Sequence, residues 1–233
     1  MTDTRTFVPA LQLAATNTAR FPNESAAYRS ARHALLVEEI ELRRQLERVA
    51  AQRRALPQGG EIPQDFEFIS TKGSVRLSTL FGDKDTVLIY SMMFGPERQA
   101  PCPMCTSFLS SWNGTAINLR ERAAMVVTAR SPIARLIEFR EQRGLTNLPF
   151  VSDMSGSYTR AYVSPEDADV PGFSVFNRRD GVIRHFYSSE MSAAMADPGQ
   201  DPRGAPDLDP LWLMLDLTPG GRGKDWYPRL DYR

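Results

Sequence analysis

The chain has 233 residues, 42% of them apolar and 24% charged, enough to bury a full core as one domain with appendages. Its 28 basic and 28 acidic residues cancel, which excludes a charge-driven attraction to nucleic acid or to an acidic membrane surface. The N-terminal stretch lacks a basic start followed by an apolar core, and no later stretch approaches the ~18 apolar residues of a membrane span, so the expectation is a soluble cytoplasmic protein.

From about Asn23 to Leu56 the sequence is rich in Ala, Leu, Glu and Arg, has no Gly or Pro, and predicts one long helix. Leu35, Leu42, Leu46, Val49 and Leu56 share one stripe of it, which must pack either on the body of the protein or on the same helix of a second chain in a homodimer. Pro57-Gln58-Gly59-Gly60 ends the helix and marks a linker, dividing the chain into an arm over residues 1–60 and a main domain over 61–233.

Beyond the linker, β-branched apolar runs alternate with helical patterns, the signature of an α/β sheet covered by helices. Asp65 to Ser70 and Val75 to Leu77 predict a lead-in hairpin. The nearly continuous apolar run Thr86 to Met93 predicts a central strand buried on both faces. A loop from Gly95 to Pro101 follows, then a helix to about Arg122, a strand Ala124 to Thr128, a helix Pro132 to Arg143 and a short strand Pro149 to Ser152. Phe173 to Phe176 and Val182 to Phe186 form a hairpin around Arg179-Asp180-Gly181, whose Asp-Gly dipeptide suits positive φ. Met191 to Pro210, with several prolines and little periodicity, reads as an exposed loop. Leu208 to Leu217 predicts a last helix, and the aromatic tail KDWYPRLDYR is expected to pack back onto the body.

Only two cysteines occur, Cys102 and Cys105, and a disulfide between them would close too small a loop to restrain the unfolded chain. In a reducing compartment such a pair points to redox chemistry or metal binding. Pro103 suits the first position of a helix, which makes Cys102 the N-cap, facing free backbone N–H groups and the positive end of the helix dipole. Its thiol pKa is expected to be lowered. Cys105 comes round to the same side one turn deeper, placed to attack a mixed disulfide formed on Cys102. Cys102 is thus the expected nucleophile and Cys105 the resolving thiol. A closed zinc site wants four ligands, and the chain offers two cysteines with His33 and His185; no metal and no cofactor is expected.

Three further features bear on this pair. His185 alternates with Ile183 and Tyr187, so the three are expected to share a strand face, from which His185 either accepts the Cys105 proton or is simply hydrogen-bonded in or beside the core. Trp112, on the cysteine helix, is expected to pack on the sheet. Glu97 and Arg98 would tune a thiolate in opposite directions or remain solvated loop charges.

Several stretches, ARHALLVEEIELRRQLERVAAQRRALP, MMFGP, Cys-Pro-Met-Cys, Trp112-Asn113-Gly114, ARSPIARLIEF, PGFSVF and LDLTP, resemble in order and spacing the thioredoxin-like family of unknown function numbered 899, described as predicted dithiol-disulfide oxidoreductases. The resemblance implies a thioredoxin-like central sheet flanked by helices, with a long N-terminal helical arm and a C-terminal helix plus tail. It implies Cys102 and Cys105 as the active pair, acting on a protein or small-molecule thiol or disulfide. Pro171, just before the strand Phe173 to Phe176, resembles the cis-proline that faces the dithiol in such folds, so Pro171, Val170, Pro103 and Met104 are expected to border the substrate groove. Between Val151 and Pro171 the chain is shorter than the family pattern and lacks its usual aromatic and acidic residues.

The stretch ARSPIARLIEFREQRGLTNLPFVSD is also similar to the corresponding part of peroxiredoxins, with Cys102-Pro103 where their peroxidatic Cys-Pro falls, although Gln99 stands where they carry a peroxide-binding threonine. Three readings therefore stand at this point: a thiol-disulfide oxidoreductase, a peroxiredoxin-like thiol peroxidase, and a non-catalytic redox-sensing or metal-binding module using Cys102, Cys105 and His185.

Overall fold

The computed structural model describes residues 7–166, 168–189, 197–198, 209–223 and 226–232. It divides into two compact units, Met1–Pro57 and Gln58–Arg233.

The first unit contains helix α1 (Ala10–Ala15) and helix α2 (Ala26–Arg54). The Ser25 hydroxyl accepts a hydrogen bond from the Tyr28 N–H at 3.1 Å, capping α2 at its start. Arg53 and Arg54 sit in its last turn, where the dipole favours cations. Ala10 and Ala14 of α1 bury against Ile40, Leu36 and Val37 of α2. Six residues, ALQLAA, are too few for α1 to show a helical period in the sequence.

The second unit is built on a seven-stranded mixed sheet of order β2-β1-β5-β4-β3-β6-β7. The strands are β1 (Glu67–Ser70), β2 (Gly73–Arg76), β3 (Thr86–Ser91), β4 (Ala124–Ala129), β5 (Phe150–Ser152), β6 (Gly172–Arg179) and β7 (Val182–Ser189). Strands β3, β4 and β5 are parallel, and β6 and β7 add antiparallel at the β3 edge. The helices are α3 (Leu77–Leu80), α4 (Pro103–Leu119), α5 (Ile133–Gln142), α6 (Ser157–Tyr162) and α7 (Pro210–Asp216). Leu77, expected to end a strand, instead opens α3; its N–H bonds the Phe66 carbonyl at 2.8 Å.

Strand β3 is buried on both faces, as its unbroken apolar run predicts. Tyr90 packs in the layer with Phe108 and Leu109 of α4 and Leu136 and Phe139 of α5. Val87 and Ile89 belong to the opposite layer, with Phe66, Phe81, Tyr158 and Phe176. Each fully buried side chain of this size contributes about 1.5–3 kcal/mol by leaving water. The predicted linker is not free at its end, because Gly60 and Ile62 bond the backbone of β7. Gly59 approaches so closely that a Cβ there would lie on the His185 carbonyl.

The β6–β7 turn has Asp180 and Gly181 at φ 53° and 78°, as the dipeptide requires. The hairpin carries a register shift, Val175 pairing with Tyr187 but Phe176 with His185. The extra residue in β7 puts Tyr187 on a different face from His185, so the expected sharing of one face by Ile183, His185 and Tyr187 does not hold. Of the stretch expected as a loop from Met191 to Pro210, all but 197–198 and 209–210 lies outside the described residues. The tail packs on α7, Trp226 and Tyr227 meeting the ring of buried Trp212 edge-on at 5.8 and 6.4 Å.

Candidate functional site: a dithiol at a helix N-terminus

Cys102 is the N-cap of α4, with φ −63° and ψ 128°, and Pro103 occupies the first turn. The bend that places it there is pinned by the backbone of Met93, just past β3. The Met93 carbonyl accepts from the Cys102 N–H at 3.0 Å, and the Met93 N–H donates to the Cys105 sulfur at 3.4 Å. The Cys102 carbonyl accepts from both the N–H and the hydroxyl of Thr106, at 3.0 and 2.9 Å. Both cysteines are free thiols; Cys102 is half-buried and Cys105 is 1% exposed.

This asymmetry divides the two pKa values. The Cys102 sulfur closes no capping hydrogen bond of its own. Its pKa is nevertheless lowered to about 6, chiefly because the Cys105 thiol donates to the thiolate, helped by the facing amides of Cys105 and Met104 and by Arg98, against the effect of burial. Cys105 moves the opposite way, well above the usual thiol range, because it keeps its proton beside the Cys102 thiolate and is itself buried. One sulfur is poised as an anion and the other as its proton-bearing partner.

The loop between β3 and α4 is fastened to the strand that enters the sheet beside it. The Asp169 carboxylate accepts from the Gly95 N–H at 3.1 Å and pairs with Arg98. Arg135 of α5 stacks over Phe94 at 4.0 Å and donates to the carbonyls of Gly95 and Arg98. Arg98 is therefore tied to Asp169, and its charge still favours the Cys102 thiolate. Asp169 had no signal in the sequence, nor did the grip of Arg135 on the loop, since each acts through partners distant along the chain.

Pro103 and Met104 lie in the first turn of α4, both half-buried. Val170 is exposed and Pro171 half-buried, and they precede β6 at the end of the sheet where β3 leaves toward the dithiol; Gly172 pairs with Ser91. No cis peptide bond occurs among the described residues, so Pro171 is trans, against the expectation of a cis-proline. Trans is the lower-energy form of an X-Pro bond by about 0.5–1 kcal/mol.

His185 is not brought to the dithiol. It stacks on Tyr162, meets Phe176 and bonds the Ser188 hydroxyl at 2.8 Å, all in the layer across the sheet from α4. Burial lowers its pKa, so it stays neutral near pH 7. The ligand set Cys102, Cys105 and His185 does not assemble, and no cluster of three or more metal-ligating side chains occurs among the described residues. Trp112 packs as expected, against Tyr90, Phe108 and Phe173.

A mixed sheet of this order, with Cys102 at the N-cap of the helix that follows its central parallel strand, defines a thioredoxin-like fold. The chain belongs to the family described as "Bacterial protein of unknown function (DUF899)", whose profile matches residues 18–232. No curated protein matches it in sequence.

Among solved structures it is similar to a PrxQ mutant of Xylella fastidiosa, at 13% identity over 57% of this chain and 84% of that one, with a TM-score of 0.44. Reduced Prx3 of Vibrio vulnificus in complex with H2O2 gives 12% identity over 63% and 94% of the two chains and a TM-score of 0.43. A putative thiol:disulfide interchange protein DsbE of Chlorobium tepidum gives 17%, 57%, 84% and 0.41. No helix among the described residues is long and apolar enough to cross a membrane.

Proposed function

We propose that the chain is a cytoplasmic thiol-disulfide oxidoreductase that works without a bound cofactor. The observation that carries this is the pairing, one helical turn apart, of a thiol held near pKa 6 with a buried thiol held protonated. The Cys102 thiolate attacks a substrate disulfide and forms a mixed disulfide, and the first substrate sulfur leaves. Cys105 then gives up its proton and attacks the Cys102 sulfur, forming the Cys102–Cys105 disulfide and releasing the second substrate sulfur as a thiol. Pro103, Met104, Val170 and Pro171 border the groove in which the substrate lies. Titration of the pair against glutathione buffers, read by mass spectrometry, is expected to show cooperative loss of a hydrogen pair from the reduced chain. A pair that never oxidises defeats the proposal. Consumption of hydrogen peroxide with a thiol donor, and no exchange with disulfides, would move the same residues to peroxide reduction.

We also propose that α2 pairs with α2 of a second copy. Leu35, Leu42 and Val49 recur every seven residues on the face of α2 opposite to Ile40, and all are exposed, as is Leu46 between them; Leu56, expected on the same stripe, lies beyond the helix, which ends at Arg54. The early part of this face carries Glu38 and Glu39 and the later part Arg53. Antiparallel pairing about the midpoint between Gln45 and Leu46 sets Leu42 on Val49 and Glu38 on Arg53, matching apolar and opposite charges together. Sedimentation is expected to give twice the 26.1 kDa of one chain, and Leu42→Glu with Val49→Glu to return the monomer. A wild-type chain that sediments as a monomer at about 100 μM, well above the micromolar range of a modest interface, defeats the pairing.

A further inference from the structure

Tyr90 is the most deeply buried polar side chain next to the dithiol. It lies on β3 with its ring in the α4 layer, wholly inaccessible, edge-on to Trp112 at 4.9 Å and to Phe108 at 6.2 Å. Its hydroxyl has no hydrogen-bond partner, although it is shut away from water. A buried hydroxyl without a partner is destabilising by about 1–3 kcal/mol, so its persistence calls for a reason. The group beside it is the Cys105 thiol. In the reduced chain that thiol donates to the Cys102 thiolate, and the Tyr90 hydroxyl faces the Cys105 sulfur, where it lowers the thiol pKa against the effect of burial.

We propose that Tyr90 donates its hydroxyl hydrogen bond to the Cys105 sulfur as negative charge develops there during the resolving attack. The inference rests on the dithiol reading above and names the residue that makes its second step feasible. In that step the Cys105 S–H bond breaks, the Cys105–Cys102 bond forms, and the bond from Cys102 to the substrate sulfur breaks; that sulfur leaves with the electron pair and takes up the proton. The developing Cys105 thiolate is buried, and the Met93 N–H supplies one backbone donor to it at 3.4 Å. A second donor aimed at the sulfur stabilises the anion where water cannot. Tyr90 keeps its own proton throughout, because burial raises its pKa well above the ordinary value and the facing ionisable groups, Cys105, Cys102 and Asp209, raise it further. His185, across the sheet, takes no part.

The test uses 5,5′-dithiobis(2-nitrobenzoate) in stopped flow on the full chain. The first release of thionitrobenzoate reports attack by Cys102, and the second reports resolution by Cys105. In Tyr90→Phe, which keeps the buried ring, the second release is expected to slow about tenfold or more while the first changes less than twofold, about tenfold being the loss of one hydrogen bond to a charged sulfur. Equal second phases in wild type and Tyr90→Phe overturn the role of Tyr90. Absence of a second phase in wild type overturns the dithiol reading instead, and Tyr90 is then decided by its effect on Cys105 alone. For that, Cys102→Ser with 13C-labelled Cys105 is titrated by NMR with and without Tyr90→Phe. The midpoint is expected to rise by about one pH unit without the hydroxyl, and superimposed curves overturn the proposal.

Discussion

Cys102→Ser is expected to abolish disulfide turnover, lowering it on the order of 10³-fold or to the uncatalysed background, while Cys105→Ser stops after one attack with substrate held on Cys102 as a mixed disulfide. The two variants differ because the two sulfurs are not equivalent. Cys102 is half-buried at a helix N-terminus and ionises at about 6, so it makes the first bond. Cys105 is buried and protonated, so it acts only after an intermediate has formed beside it. The pH dependence follows from the direction of the first shift. A thiol lowered to about 6 is thiolate above that pH and loses the anion as pH falls through it, so the first step at pH 5 runs at about a tenth of its rate near pH 7. Turnover measured with a dithiol donor, and intact mass of the trapped Cys105→Ser species, check both statements. Undiminished reductase activity in both variants removes Cys102 and Cys105 from the chemistry.

Asp209→Ala is expected to destabilise the fold by about 2–4 kcal/mol, more than any single surface change. Asp209 is fully buried and joins two helices: its carboxylate accepts from the Leu211 N–H at 2.9 Å, capping α7, and from the hydroxyls of Ser107 and Ser111 on α4 at 3.1 and 3.2 Å. Removing it withdraws the cap and takes the acceptor from two half-buried hydroxyls. Asp209→Asn keeps one oxygen acceptor and should lose roughly half as much. Ser107 lies one position past Thr106, the residue that bonds the Cys102 carbonyl, so the variant also loosens the dithiol helix from behind. Denaturant unfolding of the two variants measures the difference, and a change below about 0.5 kcal/mol in Asp209→Ala would falsify this role.

Much of the frame was legible because it rests on local patterns. The run Thr86 to Met93 can hide its apolar atoms on both sides only in the middle of a sheet, and β3 lies there. Pro103 tolerates a first-turn position and little else in a helix, which marked Cys102 as the cap. The Asp-Gly turn has its predicted positive φ angles. Short elements were not legible: α1, α3 and α6 span at most six residues, less than two helical turns, so no periodicity can show itself. The face of His185 was misjudged for a different reason. Strict alternation holds only while the ladder is regular, and the register shift between Val175 and Phe176 breaks it.

For the dithiol, the sequence alone determined which two sulfurs meet and which stands at the helix end, since a spacing of three residues and a following proline are properties of the chain. The tertiary structure decided everything that depends on what faces those sulfurs. It sealed Cys105 under the Met93 amide, set the Tyr90 hydroxyl beside it, tied Arg98 to Asp169, and carried His185 to the other side of the sheet. Each of these is a contact between residues far apart along the chain, and burial and charge act through space, so the pKa of a thiol is set by neighbours that its local sequence does not contain.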